Sequence, residues 1–250
     1  MTIANPNKVE VAIVSVGYAD FLNITLPLTK KFFGESITIL TTESDHATID
    51  CAIHNSVKLL ATNAWYETGG VFDKAAGLNQ WLDALDTNAT SWVLTLDADI
   101  VLPPCSFHLL LATLNPQFLY GVKRRLCKSV TDWERFISQD LTFTDFDLDL
   151  PEIKHGKLWG LHDTVNVSAV YGYFQLWHIH FGKGQSRFES FPSAAHYDVQ
   201  FAMSFGDTTR ANIPSIEVLH LGPIKLNWEG RKSESWNSAA PLDDINVNWG

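Results

Sequence analysis

The sequence predicts an α/β domain with a mainly parallel sheet flanked by helices, and three observations carry that expectation. Through the first hundred residues, short apolar runs alternate with segments whose apolar residues recur three and four positions apart, the pattern of buried strands and covering helices. The runs are apolar on both of their alternating faces, as strands are when helices cover a sheet from both sides. At 250 residues, 46% hydrophobic and 18% charged, the chain is large and apolar enough for one sizeable core. No repeat, linker or composition break divides it, so a single domain over residues 1–250 is expected.

The elements follow in order. "VEVAIVSVGY" is a buried strand that ends in a loop at Gly17. "DFLNITLPLTKKFF" spaces its apolar residues for a helix despite Pro27, and "SITILTTESD" is a second buried strand with polar residues gathered at its end. "VKLLAT" suits a third strand, "DKAAGLNQWLDAL" a helix and "SWVLTL" a fourth strand. Beyond Leu102 the pattern loosens. "DLTFTDFDLDLPE" alternates acids with Phe and Leu, "YGYFQLWHIHF" is aromatic and strand-like, "YDVQFAMSF" begins a helix, and "SIEVLHLGP" is a short buried strand ending in a turn. The tail after Trp236 is polar.

Composition narrows the function. "MTIANPNKVE" lacks the basic-then-apolar pattern of a secretory signal, and no apolar run approaches the ~20 residues of a membrane span, so a cytoplasmic protein without a membrane span is expected. Cys51, Cys105 and Cys127 are far apart and show neither disulfide nor zinc-site spacing. A formal net charge of −10 disfavours adhesion to nucleic acid or anionic lipid. "KRRLCK", Lys123 to Lys128, is the one basic cluster and is read as a solvated turn.

The stretch "SWVLTLDADIVLPP" (91–104) sets two carboxylates where an apolar run stops. Side chains alternate along a strand, so Asp97 and Asp99 would share one face with Ala98 on the other. Two carboxylates aimed at one point need a cation, and hard oxygen ligands suit Mg²⁺ or Mn²⁺ with phosphate oxygens completing the shell. Asp145, Asp147 and Asp149 share the D-x-D spacing but follow no apolar strand, so they are read as an amphipathic edge or acidic loop. In "VLHLGPIKLNWEGRK" (218–232), His220 leaves a buried strand as a possible neutral ligand, and Lys225 and Arg231 lie near enough in sequence to neutralise a bound diphosphate.

Together these segments resemble the nucleotide-sugar-dependent glycosyltransferases of the GT-A fold, a Rossmann-like parallel sheet flanked by helices. The likeness runs from the opening strand and loop through "TTESD", "GGVFDKAAGLN", "LDADIVLPP", "YGYFQLWH" and "HYDVQF" to "HLGP" and the "NWEGR" that follows. "FDKAAGLN" is similar to a segment of the family-2-like members, which places Lys74 and Asn79 on the nucleotide side. Asp97 and Asp99 match the metal-binding D-x-D, and His220 matches a late histidine that serves as third ligand. "HLGPIK" also looks like the signature of retaining, glycogenin-like transferases, but its His-to-Lys spacing is one residue shorter and Asn227 stands where their Pro would be.

The resemblance implies a metal-dependent transfer from a nucleotide-diphosphate sugar to an acceptor hydroxyl, with inversion expected and retention the alternative. Residues 1–104 would hold the donor, contacted by Val16, Gly17, Thr42, Glu43, Lys74, Asn79 and Ala98, with Lys225 and Arg231 on its phosphates. Residues 105–250 would form the acceptor side. Asp198 would take the acceptor's proton, standing alone in "HYDVQF" where inverting members usually carry Glu-Asp. Tyr173, Trp177 and Trp228 offer aromatic faces for a carbohydrate or other hydroxyl acceptor, with Gln175 and His178 as polar neighbours. Three rivals remain open: a glycoside hydrolase needing no metal, a non-catalytic carbohydrate- or nucleotide-binding module, and a transferase whose acceptor is a modified DNA base, supported only by "KRRLCK".

Overall fold

The computed structural model describes residues 8–67, 72–104, 107–149, 170–181, 187–189, 197–223 and 235–236. In chain order the elements of the first half are β1 (Val9–Val14), α1 (Ala19–Phe33), β2 (Ile37–Thr41), α2 (His46–His54), β3 (Lys58–Ala61), α3 (Lys74–Ala84), β4 (Trp92–Asp97) and β5 (Ile100–Val101). The second half adds α4 (Phe107–Leu111), β6 (Leu119–Cys127), α5 (Val130–Ile137), β7 (Asp147–Asp149), β8 (Phe174–His178), α6 (Tyr197–Ser204) and β9 (Arg210–Leu221).

One sheet runs in the order β3-β2-β1-β4-β8-β6-β9-β5, with β7 also paired to β6. Strands β3, β2, β1 and β4 are parallel. Strand β8 reverses against β4, and β6 reverses again, so β6 and its parallel neighbour β9 resume the first direction. The sheet is thus mostly parallel, as the doubly apolar strands predict.

Alternation along each strand decides which helix it meets. Val11 and Ile13 of β1, with Leu94 and Leu96 of β4, pack against Leu22 and Leu26 of α1 and Cys51 and Ala52 of α2. Ala12, Val14 and Val93 face the other way, onto Ala75, Leu78, Trp81 and Leu82 of α3 and Phe201 of α6. A third cluster joins the far side of α1 (Phe21, Ile24, Leu28) to Trp133 and Phe136 of α5 and to Leu219 and Leu221 of β9. Helix starts are fixed locally: Asp45, Asp73 and Ser129 accept from Thr48 N, Ala76 N and Asp132 N at 3.2, 3.3 and 3.1 Å, capping α2, α3 and α5.

The expected strands and helices of the first hundred residues form, and α1 continues through Pro27. Two expectations are corrected. "KRRLCK" lies within or just beyond β6 rather than in a turn, and "SIEVLHLGP" is the end of a twelve-residue strand rather than a short one. Helices α2, α4 and α5 were not among the expected elements, although α5 spaces Val130, Trp133, Phe136 and Ile137 three and four positions apart. Among the described residues, no helix is long and apolar enough to cross a membrane.

Candidate active site

In an open α/β sheet, ligands gather outside the carboxyl ends of the parallel strands. At that edge, Gly17 follows β1 in a left-handed turn (φ 72°), and its amide donates to Asp45 Oδ2 at 2.7 Å. The same oxygen accepts from the Thr41 hydroxyl at 3.2 Å, so Asp45 ties the β1 loop to the end of β2. Val16 is half-buried beside Gly17, Thr42 is buried, and exposed Glu43 accepts from Asn63 Nδ2 at 2.6 Å.

Strand β4 ends at Asp97, and Ala98 and Asp99 turn the chain into β5. The two carboxylates therefore meet across a turn and not along one strand face, a correction to the strand argument that leaves them neighbours. Three contacts hold the turn's backbone: Asp97 N donates to Tyr173 O at 3.1 Å, Leu221 N to Asp99 O at 2.8 Å, and the Thr25 hydroxyl to Ala98 O at 2.7 Å. Ala98 itself is buried, so its side chain offers no surface to a ligand.

Parity puts Asp97 on the sheet face covered by α3, where Lys74 pairs with its Oδ1. Burial alone pulls the Lys74 ammonium down, but Asp97 and Tyr197 more than reverse this and hold it well above the usual lysine range. Asp99 Oδ2 lies 3.6 Å from His220 Nε2. Burial, with the Asp97 charge beside it, raises the Asp99 carboxyl to about 7. Burial and the Arg124 guanidinium lower His220 to about 4, leaving a neutral imidazole at physiological pH.

This donor set can be tested for a divalent cation. Asp99 Oδ1 and His220 Nδ1 are buried and meet no partner in good hydrogen-bond geometry, although the Gly222 backbone lies close enough to His220 to favour its protonated form. A carboxylate oxygen is acceptor-only, so in a low-dielectric site it calls for a donor or a cation. Carboxylate oxygens suit Mn²⁺ and Mg²⁺ alike, and adding a neutral imidazole favours the softer Mn²⁺ of the two. Among the described residues no group of three His, Cys, Asp or Glu side chains is already gathered for a metal, and Lys74 holds one oxygen of Asp97.

Asp198 opens α6, where its acidity suits the first turn. Its Oδ2 accepts from Gly172 N at 2.7 Å and its Oδ1 from Val199 N at 2.8 Å. A Cβ on residue 172 would stand 2.5 Å from the Asp198 Cβ, so only glycine lets this approach occur. Burial raises the Asp198 carboxyl to about 6, against the lowering effect of those amides and of Lys74. Lys74 also sits over the Tyr197 ring, 5.1 Å from its centroid, so Asp97, Lys74, Tyr197 and Asp198 form one electrostatic unit.

The aromatic acceptor residues are placed differently from expectation. Tyr173 is buried and donates its hydroxyl to Val122 O. Gln175 is fully buried and donates to Asp198 O at 3.0 Å. Trp177 is fully buried against Phe201, with ring centroids 4.9 Å apart. None presents an open face to a sugar: Gln175 and Trp177 support α6, and Tyr173 packs under Arg124 of β6. His178 sits at the amino end of β4, opposite Trp92 and away from the carboxyl edge. Asn79 is also occupied: its Nδ2 donates to Phe188 O and its Oδ1 accepts from Phe188 N, both at 2.9 Å, which ties residues 187–189 to α3. Lys225, Trp228 and Arg231 lie outside the described residues.

Sequence reading missed Asp45, Tyr197, Arg124 and Asp149. Arg124 Nε donates to Asp149 Oδ2 at 2.7 Å, and its guanidinium lies 4.5 Å from the centre of the Tyr173 ring. Arg125 pairs with Glu217 and Lys128 with Asp147, so three of the four cations in the patch that favoured a nucleic-acid acceptor are paired with acids. As read from the sequence, Asp147 and Asp149 form an edge strand, and Asp145 accepts from Thr142 N at 2.7 Å.

No protein-family model matches the chain, and no curated protein matches it in sequence. Solved structures do. A mannosyltransferase from Pyrobaculum calidifontis, in complex with GDP-mannose and Mn²⁺, superposes with a TM-score of 0.55 at 12% identity, covering 87% of this chain and 58% of that one. The chain thus spans a little over half of that enzyme's length. Mannosyl-3-phosphoglycerate synthase from Rubrobacter xylanophilus gives a TM-score of 0.46 at 12% identity, over 87% of this chain and 68% of that one. A cytidylyltransferase from Leptospira borgpetersenii gives 0.42 at 14% identity, over 83% and 76%. Strand order, reversed strand and the mannosyltransferase superposition together make this a GT-A-type fold.

Proposed function

We propose that this chain is a metal-dependent glycosyltransferase that moves a sugar from a nucleotide-diphosphate sugar to an acceptor hydroxyl with inversion. The observation that carries the reading is that Asp97 and Asp99 of one turn, His220 of β9 and Asp198 of α6 lie within electrostatic reach of one another at the carboxyl edge of the sheet, with Lys74 paired to Asp97. The complex of the similarly folded mannosyltransferase with GDP-mannose and Mn²⁺ supports it.

A divalent cation held by Asp97, Asp99 and His220 would supply positive charge where the leaving diphosphate gathers negative charge. Lys74, already paired with Asp97, stands beside the same position and can give its proton-rich head to a phosphate oxygen. Asp198, raised to about 6, is mostly ionised at neutral pH yet basic enough to accept a proton. It takes the acceptor hydroxyl's proton as that oxygen bonds to the anomeric carbon. The bond from that carbon to the diphosphate oxygen breaks, and the leaving group keeps the electron pair. Gly172 N and Val199 N hold the carboxylate in place throughout.

Thermal unfolding with a panel of nucleotide sugars, with and without Mn²⁺, tests this. Binding at a hundred times Kd stabilises the fold by about 2.7 kcal/mol, so the correct donor raises Tm only when metal is present. A Tm unmoved by every nucleotide sugar would overturn the reading, and proton NMR of the first-formed product reports the anomeric outcome.

A further inference from the structure

Arg124 belongs to a cluster that the reaction sketched above does not use. Strands β7, β6 and β9 lie side by side, with Arg124 opposite Asp149 on one edge and, on the other, Arg124 beside Val218 and Leu126 beside His220. Registered neighbours share a sheet face, so Asp149, Arg124 and His220 project from the same face of three adjacent strands. A diagonal step between neighbouring strands spans about 7–8 Å, within reach of an extended arginine. The guanidinium is held from two directions, by the 2.7 Å bond from Nε to Asp149 and by the Tyr173 ring beneath it. Tyr173 is itself fixed through its hydroxyl to Val122 O, and its carbonyl receives the amide of Asp97. Arg124 is therefore built into the wall of the D-x-D turn.

Asp149 engages only Nε. Among the described residues the two terminal amines of Arg124 meet no acceptor, and the side chain as a whole is 17% exposed. A planar fork fixed at its base with its outer N–H groups open is the arrangement that binds an oxyanion in two-point fashion. Asp149 is already engaged by Nε and offsets the arginine's charge, and Asp99 is a second acid close enough to feel it, so what remains for something that arrives is the pair of open N–H arms of the fork.

Resting on the glycosyltransferase reading, we infer that Arg124 is an anion-binding residue of this cleft, receiving a phosphate oxyanion next to Asp99 and His220. That oxyanion belongs either to the donor's diphosphate or to a phosphorylated acceptor, and the two sources separate by experiment. Calorimetric titration of wild type, Arg124→Gln and Arg124→Lys, with Mn²⁺ present, would use UDP, GDP, uridine, guanosine and glucose 6-phosphate. Arg124→Gln should weaken a phosphate-bearing probe at least tenfold while leaving the nucleosides unchanged. Arg124→Lys, which keeps the charge opposite Asp149 but loses the fork, should fall between them and serves if the Gln variant does not fold. Loss confined to UDP or GDP assigns the donor, and loss confined to glucose 6-phosphate assigns the acceptor side. Wild-type affinity for every phosphate probe in both variants, or equal losses for nucleoside and diphosphate, would overturn the inference. A wild type that binds glucose 6-phosphate through Arg124 but no nucleoside diphosphate would uphold the anion site and sink the glycosyltransferase reading. A wild type that binds neither kind of phosphate would sink both.

Discussion

Replacing Asp198 by Asn separates charge from shape, and the structure fixes what each contributes. Both carboxylate oxygens accept backbone N–H groups, from Gly172 at 2.7 Å and Val199 at 2.8 Å. An amide has one acceptor oxygen, so one of those N–H groups will face an NH₂ and lose its partner, at a cost of about 1–3 kcal/mol. Against this stands relief from a buried charge. The carboxyl is raised from 3.8 to about 6 in the fold, so between those values the folded protein binds more protons than the unfolded chain. Stability is therefore greatest below the unfolded value and falls as pH rises through the folded one. At about 1.4 kcal/mol per unit, the penalty reaches at most about 3 kcal/mol by pH 7. The Asn variant lacks this slope, so its stability relative to wild type should improve by up to that amount between pH 4 and 7, followed by urea denaturation at each pH. Under the proposed function, kcat should fall about 10²-fold or more while donor affinity persists, and the acidic limb of kcat/KM near pH 6 should vanish. A stability difference constant from pH 4 to 7 would refute the buried-charge reasoning. A variant that keeps both its rate and the acidic limb would refute the role of Asp198 as base.

Asp99→Asn removes the carboxyl that burial raises to about 7 and leaves its turn pinned through backbone atoms, so the fold should survive while Mn²⁺-dependent nucleotide-sugar binding is lost; calorimetry with and without metal measures both. Trp177→Ala should cost about 3–5 kcal/mol of stability in chemical denaturation, because the ring is fully buried against Phe201 and Phe188. A Trp177 variant of unchanged stability but raised acceptor KM would restore the sugar-platform reading.

The first four strands were readable because local pattern determines them: each is apolar on both faces, and its end is marked by a loop residue such as Gly17 or by an acid such as Asp97. Asp97, Ala98 and Asp99 do stand where the apolar strand stops, although strand parity does not hold the two acids together; the turn through Ala98 does. A polar residue inside the aromatic stretch does not mark an acceptor face, because Gln175 is buried with its amide turned to the Asp198 carbonyl.

What local pattern cannot supply is the partner of a charge. Lys123 to Lys128 looks like a solvated cluster until β7 and β9 bring Asp149, Glu217 and Asp147 beside it, and those pairings span up to 92 positions in sequence. With β7 on one side and β9 on the other, the cluster forms part of an interior strand whose arginines are paired across to acids on those neighbours. The same pairing joins Asp149, an acid set aside because no apolar strand precedes it, to the cleft through Arg124. The groups at the edge of the parallel strands were therefore visible one at a time, and their charge balance became visible only when the antiparallel half of the sheet closed around them.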